Sequence, residues 1–445
     1  MPFGRVVWFP PALIAAALLS LGAQGPVARP AVCTAAALAF LVLAANRFAN
    51  RAAAGMADLL GGRPFLLAAL PVLGAVQVVL HATVRLSDGP LAAMVQETAR
   101  LASLVAFFAV VRHAARGRSD FVFLLAGLVV IGGVEACYGL LNLLAGNERL
   151  LFYKRTAYLN SATGTLVNRN HFAYLMEMTI PATFVAMGWA QEAPGTRQVP
   201  ESERKARALL LGTVCVLELL ALLFSRSRMG IVCFPLACAT VAILDRTFGP
   251  QRQAARRSRA AGVLLVAVAL AVAFAIGIDP VVERFARLER DLGEGGRREV
   301  WAAAARMAAS KPLLGHGFGT FATLVPGYRL MPSGVRFDHA HNDYLEIAAE
   351  AGIAGLAAIA ALIAVFLRRL FSTLASCHRT RERRVVLWLA AAIIAVLLHS
   401  LADFGLRITA VAFTFVYVAA LFARACELAD AAATAGRTVT SPNTQ

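Results

Sequence analysis

Apolar residues fall along the chain in long blocks, divided by short segments that carry charge, glycine or proline. The blocks lie near 7–23, 30–46, 65–81, 92–111, 120–145, 169–190, 207–224, 229–244, 260–278, 343–367, 385–403 and 407–427. Each approaches the roughly 20 residues that a helix needs to cross a bilayer core of about 30 Å. The pattern predicts an all-α integral membrane protein with about twelve transmembrane helices. The first block follows a single Arg5 and lacks a clean A-x-A site, so an anchor is expected rather than a cleaved leader. One long polar stretch, 279–342, is expected to be a large, partly helical outer loop. The organisation is then helices one to nine over 1–278, the loop over 279–342, helices ten to twelve over 343–427, and a disordered cytoplasmic tail over 428–445.

Composition supports this reading and charge refines it. Of 445 residues, 59% are apolar and 16% charged, against about 45–50% and about 25% in soluble domains. Mean hydropathy is +0.67. These values exclude a disordered chain and an ordinary water-soluble enzyme. A net charge of +17 raises nucleic-acid binding, which the positions of the charges can test. With the N-terminus inside, inner loops hold Arg47 and Arg51, then Arg112, Arg116 and Arg118, then Arg204 and Lys205, then Arg256 and Arg257, then Arg381, Arg383 and Arg384. Short outer turns hold few, among them Arg29, Arg85 and Arg407. The positive-inside rule accounts for this asymmetry, so most of the basic excess sets orientation. Both termini are expected in the cytoplasm, and no nucleic-acid partner is expected. The seven cysteines avoid the large loop, which implies no disulfide framework.

Two outer segments break the pattern. One is 146–168, running on to Arg169; the other is the large loop, with Arg297, Arg298 and Arg329 among its cations. Long loops escape the positive-inside rule. These residues form either a solvated cap or a basic chamber, and guanidinium groups suit a phosphate-bearing ligand. Ser225-Arg226-Ser227-Arg228 interrupts an otherwise apolar stretch. Its charges must sit at a hairpin tip or face a polar cavity, with Ser227 a possible helix cap and Arg228 in the first turn.

The large loop carries further chemistry. Gly295-Gly296-Arg297 opens a predicted helix that ends at Lys311-Pro312. Gly315, Gly317 and Gly319 follow; their backbone could cradle phosphate or form a tight turn, and no Walker lysine follows them. The loop ends at His339-Ala340-His341-Asn342-Asp343. Asp343 and Glu346 have the form of a capping box, so a helix is expected from about 343, with His341 just before it. A neutral histidine there can take a proton from a hydroxyl, while two loop histidines can equally be a polar turn. No third ligand is spaced for a metal. Asn168-Arg169-Asn170-His171 opens another span, and His399 and Asp403 close the eleventh.

Together these motifs resemble the O-antigen ligase and polymerase superfamily of bacterial envelope glycosyltransferases. The matching pieces are Asn168-x-Asn170-His171-Phe172-Ala173, Ser227-Arg228-x-Gly230, Gly296-Arg297-x-x-x-Trp301, the glycine run from Pro312 to Phe321, His341-Asn342-x-x-Leu345 through Glu350-x-Gly352, and Asp403-Phe404. They cover roughly 165–405. The resemblance implies a GT-C-like fold in the inner membrane with a periplasmic active site. It implies transfer of a glycan from undecaprenyl diphosphate to an acceptor hydroxyl, with inversion and without metal or other cofactor. In that scheme His341 is the general base, and Arg228 and Arg297 bind the diphosphate. Arg169, Arg298 and Arg329 are second choices, and Arg226 competes with Arg228. Asn170, His171 and His339 line the site, and Asn342, Glu350 and Asp403 orient His341 or an arginine. The expected acceptor is lipid A–core, with a growing glycan or a protein as alternatives. A transporter or flippase of a lipid-linked anion is the rival of another class.

Overall fold

The computed structural model describes residues 7–49, 64–85, 89–190, 200–248, 297–330, 336–377 and 380–439, with the isolated residues 271 and 282–283. The expected span at 260–278 therefore lies outside the described residues, apart from 271. Thirteen helices are described: α1 Phe9–Leu19, α2 Ala28–Ala49, α3 Pro64–Val84, α4 Leu91–Ala114, α5 Arg118–Leu144, α6 Arg169–Ala190, α7 Glu201–Phe224, α8 Arg228–Phe248, α9 Arg297–Ser310, α10 Phe321–Leu324, α11 Asp343–Ser376, α12 Thr380–His399 and α13 Thr409–Val439. A two-residue hairpin, β1 Arg149–Leu150 and β2 Tyr153–Lys154, is the one sheet among the described residues.

Eight of these helices (α2, α3, α4, α5, α7, α8, α11 and α13) are long and apolar enough to cross a membrane. The chain is thus an all-α, multi-pass membrane protein. Two expectations are corrected at its ends. The first apolar block yields an α1 of only 11 residues, about 16 Å long, which is too short to span a bilayer alone. The tail expected to be disordered from 428 is helical as far as Val439, because α13 continues.

Helices α6 and α12 are of spanning length and carry buried polar side chains. Residues 171–182 of α6 are buried throughout. Inside, Glu177 faces His399 at 3.0 Å and Tyr174 stacks on the His399 ring. A polar group at this depth needs a partner, and these two helices supply one another's.

Helix α11 kinks at Gly352 (φ 60°, ψ −155°). The kink breaks the helical ladder there, and the Pro312–Gly317 turn replaces the lost bonds. His316 N and Gly317 N donate to Ala349 O and Glu350 O at 3.1 and 2.8 Å, while Ile353 N and Ala354 N donate to Pro312 O and Leu313 O at 2.8 and 3.1 Å. Non-helical backbone at membrane depth is tolerated where its polar groups are satisfied in this way. A Cβ at Gly352 would meet Leu313 at 2.6 Å, and one at Gly315 would meet the Glu350 carbonyl carbon at 2.3 Å. Both positions also have positive φ, so both require glycine. Gln77 locks the turn in place by donating to Leu314 O and Glu350 O and accepting from Phe318 N. The glycine run is therefore a packed turn, and its committed N–H groups are not a phosphate cradle.

Above the kink, α9, α10 and the segment around Phe337–Ala340 share a small core of Val300, Met307, Phe321, Val325, Phe337 and Ala340. This core seats the chain that leads into His341.

Candidate functional site

The entrance to α11 fixes His341. Asn342, rather than Asp343, is the N-cap: its Oδ1 accepts from Tyr344 N and Leu345 N, both at 3.0 Å. The expected capping box at Asp343 and Glu346 is thus not formed: the cap lies one residue earlier, and Glu346 binds His339 and Ala340 N instead. Asn342 Nδ2 donates to Leu401 O at 2.8 Å, tying the cap to the α12–α13 turn. Asn342 therefore shapes the loop rather than orienting an imidazole. His341 adopts φ 51°, which is uncommon outside glycine. Its Nδ1 lies 3.5 Å from Asp403 Oδ1, and its ring meets Phe404 edge-on at 4.8 Å.

Asp403 is the carboxylate that faces His341, and Glu350 does not. Asp403 Oδ1 accepts from Phe404 N at 2.8 Å, and its Oδ2 accepts from Asn170 Nδ2. Burial pushes the Asp403 pKa up, but His341 and the nearby imidazoles outweigh it and hold the carboxyl below the usual range. An ionised carboxylate beside one imidazole nitrogen leaves the other to act as a base. Phe404 is the hub of three histidines, with His339 stacked on it at 4.4 Å and His171 edge-on at 5.0 Å.

Glu350 and Glu346 belong to a second constellation that centres on Arg407. Arg407 Nη1 contacts Glu350 Oε2 at 2.8 Å and Glu97 Oε1 at 3.6 Å, and its Nε contacts Glu346 Oε1 at 3.2 Å. Arg100 binds Glu97 at 2.6 Å, and Arg29 binds it too. Glu350 Oε1 also accepts from Phe321 N at 3.1 Å. Glu346 then reaches back to the site: its Oε1 holds His339 Nδ1 at 2.9 Å and its Oε2 accepts from Ala340 N at 2.8 Å. Arg407 reads in the sequence as a minor outer-turn charge, and its role appears only when four elements converge. Glu97 and Arg100, charged yet inside an apolar block, were the available signal.

Burial pushes the His339 pKa down, but the Glu346 charge and hydrogen bond outweigh it, and the net shift is upward from 6.5. A raised folded-state pKa stabilises fully below about pH 6.5 and is lost as pH rises through the folded value. Melting temperature in detergent is therefore expected to fall above about pH 6.5 more steeply for the native protein than for His339→Gln. Parallel curves would remove the pair as a stabilising element.

The arginines gather at the start of α6. Like-charge repulsion acts on Arg169 from Arg228, Arg297 and Arg226, and between Arg228 and Arg297. Arg169, Arg228 and Arg297 each sit where a helix begins. Asn168 Oδ1 accepts from Asn170 N at 2.8 Å as α6 opens, Ser227 Oγ accepts from Gly230 N at 3.4 Å as α8 opens, and Arg297 is the first residue of α9. Three helix N-termini add partial positive charge to the guanidinium groups. Arg169 also lies over the Tyr158 ring at 5.0 Å, and its buried Nε has no hydrogen-bond partner. Arg226 is half-buried at φ 56°, and Glu283 acts on its charge. Arg298 is exposed, whereas Arg297 is half-buried. Arg329 is not brought to this group: it pairs with Glu299 at 2.8 Å and lies over Phe337. Among the described residues, no three His, Cys, Asp or Glu side chains come together as a metal would require.

The fold and this site define a multi-pass membrane protein with a basic cluster beside a His–Asp pair. Residues 213–360 match the family described as O-Antigen ligase, and the match supports the O-antigen ligase superfamily. The matched stretch contains Arg228, Arg297, His341 and Glu350. It supports glycan transfer of the ligase or polymerase type, with lipid-linked glycans as the general substrate class. No curated protein matches the chain.

Proposed function

We propose that the protein transfers a glycan from undecaprenyl diphosphate to an acceptor hydroxyl at the periplasmic face of the inner membrane, as a ligase onto lipid A–core. The supporting observation is the junction at α6, where Arg169 and Asn170 are consecutive. Arg169 belongs to the cation cluster, and Asn170 holds the carboxylate that faces His341. One helix start thus joins a site for a diphosphate to a site for a base.

In the proposed step, His341 takes the acceptor proton as the acceptor oxygen bonds to the anomeric carbon. The bond from that carbon to the diphosphate breaks, and undecaprenyl diphosphate leaves with the electron pair. Charge grows on the leaving diphosphate, and in this reading Arg228, Arg297 and Arg169 neutralise it. Asp403 stabilises the imidazolium. Attack opposite the leaving group inverts the anomeric centre.

The test uses purified protein, undecaprenyl-diphosphate glycan and, in separate reactions, lipid A–core, free glycan or protein as acceptor. Arg228→Ala and Arg297→Ala are each expected to lower transfer by about 10²–10³-fold, the loss typical of one electrostatic donor. Native rates in both variants would remove the diphosphate clamp. Product on none of the acceptors, with carrier movement in proteoliposomes instead, would overturn the enzyme reading.

A further inference from the structure

The segment between α5 and α6 opens with the hairpin β1–β2, and the tip of that hairpin is apolar. Leu151 and Phe152 form its two-residue turn, closed by the pairs Leu150–Tyr153 and Arg149–Lys154. Phe152 is 76% exposed, Leu151 and Tyr153 are exposed beside it, and Leu150 is buried. Arg149 and Lys154 are exposed at the base of the hairpin. Two-residue turns of this kind favour glycine or asparagine where φ is positive. Here a leucine takes φ 50°, a backbone cost borne by a large side chain that the protein leaves exposed.

The hairpin folds back along α5 rather than standing out from the end of the helix. Asn142 Nδ2 donates to Arg149 O at 3.0 Å, and Leu151 N donates to the Tyr138 hydroxyl at 2.8 Å. As the chain runs from Arg149 to Leu151, its partners step backward along α5, so the tip descends toward the middle of that helix. Tyr138 lies six residues before Leu144, the last residue of α5, which is about 9 Å of helix. Helix α5 is itself long and apolar enough to cross a membrane. Val130, Val134 and Leu141 are its exposed apolar side, and Tyr138, four residues on from Val134, stands beside that stripe.

An apolar tip carried back along a spanning helix, with cations at its base, has the layering of an interfacial lipid anchor. Such elements bury their apolar side about 5–10 Å into the boundary between headgroups and acyl chains. Glu148 offsets Lys154 at 3.7 Å and leaves Arg149 in excess for an anionic headgroup. A second copy of the chain is a poorer occupant, because three side chains fall well short of the roughly 800 Å² per partner of a stable protein interface. We infer that the hairpin 148–155 is an anchor in the phospholipid leaflet at which α5 ends. Leu151, Phe152 and Tyr153 enter the acyl region, and Arg149 and Lys154 stay with the phosphates. The anchor is braced to the cation cluster. Arg155, 2% exposed, donates through Nη2 to Asn147 O at 2.6 Å and through Nη1 to Ser161 O at 3.3 Å. Glu135 of α5 accepts from Thr165 N and Oγ1 at 2.7 and 2.8 Å, shortly before Arg169. The depth of the hairpin therefore sets the height of Arg169 over the bilayer.

Tryptophan fluorescence of the full-length protein in nanodiscs of phosphatidylethanolamine and phosphatidylglycerol tests the anchor. No prenyl lipid is added, so any lipid contact comes from the bilayer. Phe152→Trp is read as its difference from the native protein, which has four tryptophans. The added indole is expected to emit at shorter wavelength than an indole in water. It should lose emission to lipids brominated near the headgroup end of their acyl chains and resist aqueous acrylamide. Adding Leu151→Asp puts a charge in the tip with a residue that tolerates positive φ. That double variant is expected to lose most of the bromolipid quenching while keeping the melting temperature of Phe152→Trp; Tyr153→Asp serves in place of Leu151→Asp if the protein does not elute as a folded species. Emission untouched by bromolipid would overturn the inference, whether the indole is open to acrylamide or covered by a second copy. Quenching left unchanged by the charge in a folded protein would overturn it too. None of these readouts involves glycan transfer, so the anchor and the proposed function can each fail while the other stands.

Discussion

Replacing His341 by alanine is expected to lower glycan transfer by about 10²–10⁴-fold, the usual contribution of a positioned acid–base group. The fold should survive the change. The His341 side chain is 27% exposed and makes no short hydrogen bond, so its loss opens no sealed cavity. Transfer is measured by product on the acceptor lipid, and integrity by the melting temperature of the same preparation. Asp403→Asn provides the companion test. It removes the charge that steadies a protonated His341 while keeping an oxygen to accept from Phe404 N. Transfer should fall with little change in acceptor binding, because the lost interaction is strongest once the proton has moved. Full transfer by His341→Ala would sink the proposed base. The same result in His339→Ala would be unremarkable for transfer, because His339 is committed to Glu346.

Removing the cation at 407 is expected to damage the protein itself. Arg407→Met leaves Glu350 and Glu346, each 1% exposed, without their principal counter-charge. Breaking a buried ion pair from one side costs about 3–5 kcal/mol, because the surviving charge stays buried. The variant should show a clear loss of thermal stability and yield. Adding Glu350→Gln removes one stranded charge and should recover part of the loss, a non-additive result expected for groups in one network. Strict additivity of the two changes would refute a direct coupling. Glu346 also holds His339 and Ala340 N, so loosening Arg407 should reach the His341 loop as well.

Much of this architecture is legible in the hydropathy pattern. Eleven of the expected blocks coincide with described helices, and the remaining one, 260–278, falls almost wholly outside the described residues. The hairpin tip at Arg226–Arg228, the Ser227 cap and the α9 start at Arg297 are local features, set by residues a few positions apart. The His341 candidacy is local too, because a helix start fixes what precedes it. The cap falls one position before the expected one: Asn342 and Asp343 are both competent caps, and Asn342 is tied to Leu401 O while Asp343 Oδ2 accepts from Leu406 N.

Partnerships across the bundle are not written in any local pattern. Asn170 with Asp403, Gln77 with the glycine turn and Arg407 with Glu97 join residues far apart in the chain. Sequence alone determined an apolar, helical chain with its basic charge divided between loops and a few points near His341, because burial in a bilayer imposes length and period on each segment separately. Only the tertiary structure decided that Asp403 rather than Glu350 faces His341, that the glycines mend a broken helix, and that Arg407 sits among carboxylates. Those outcomes depend on which helices pack together, and a buried charge takes whichever partner the packing brings within reach.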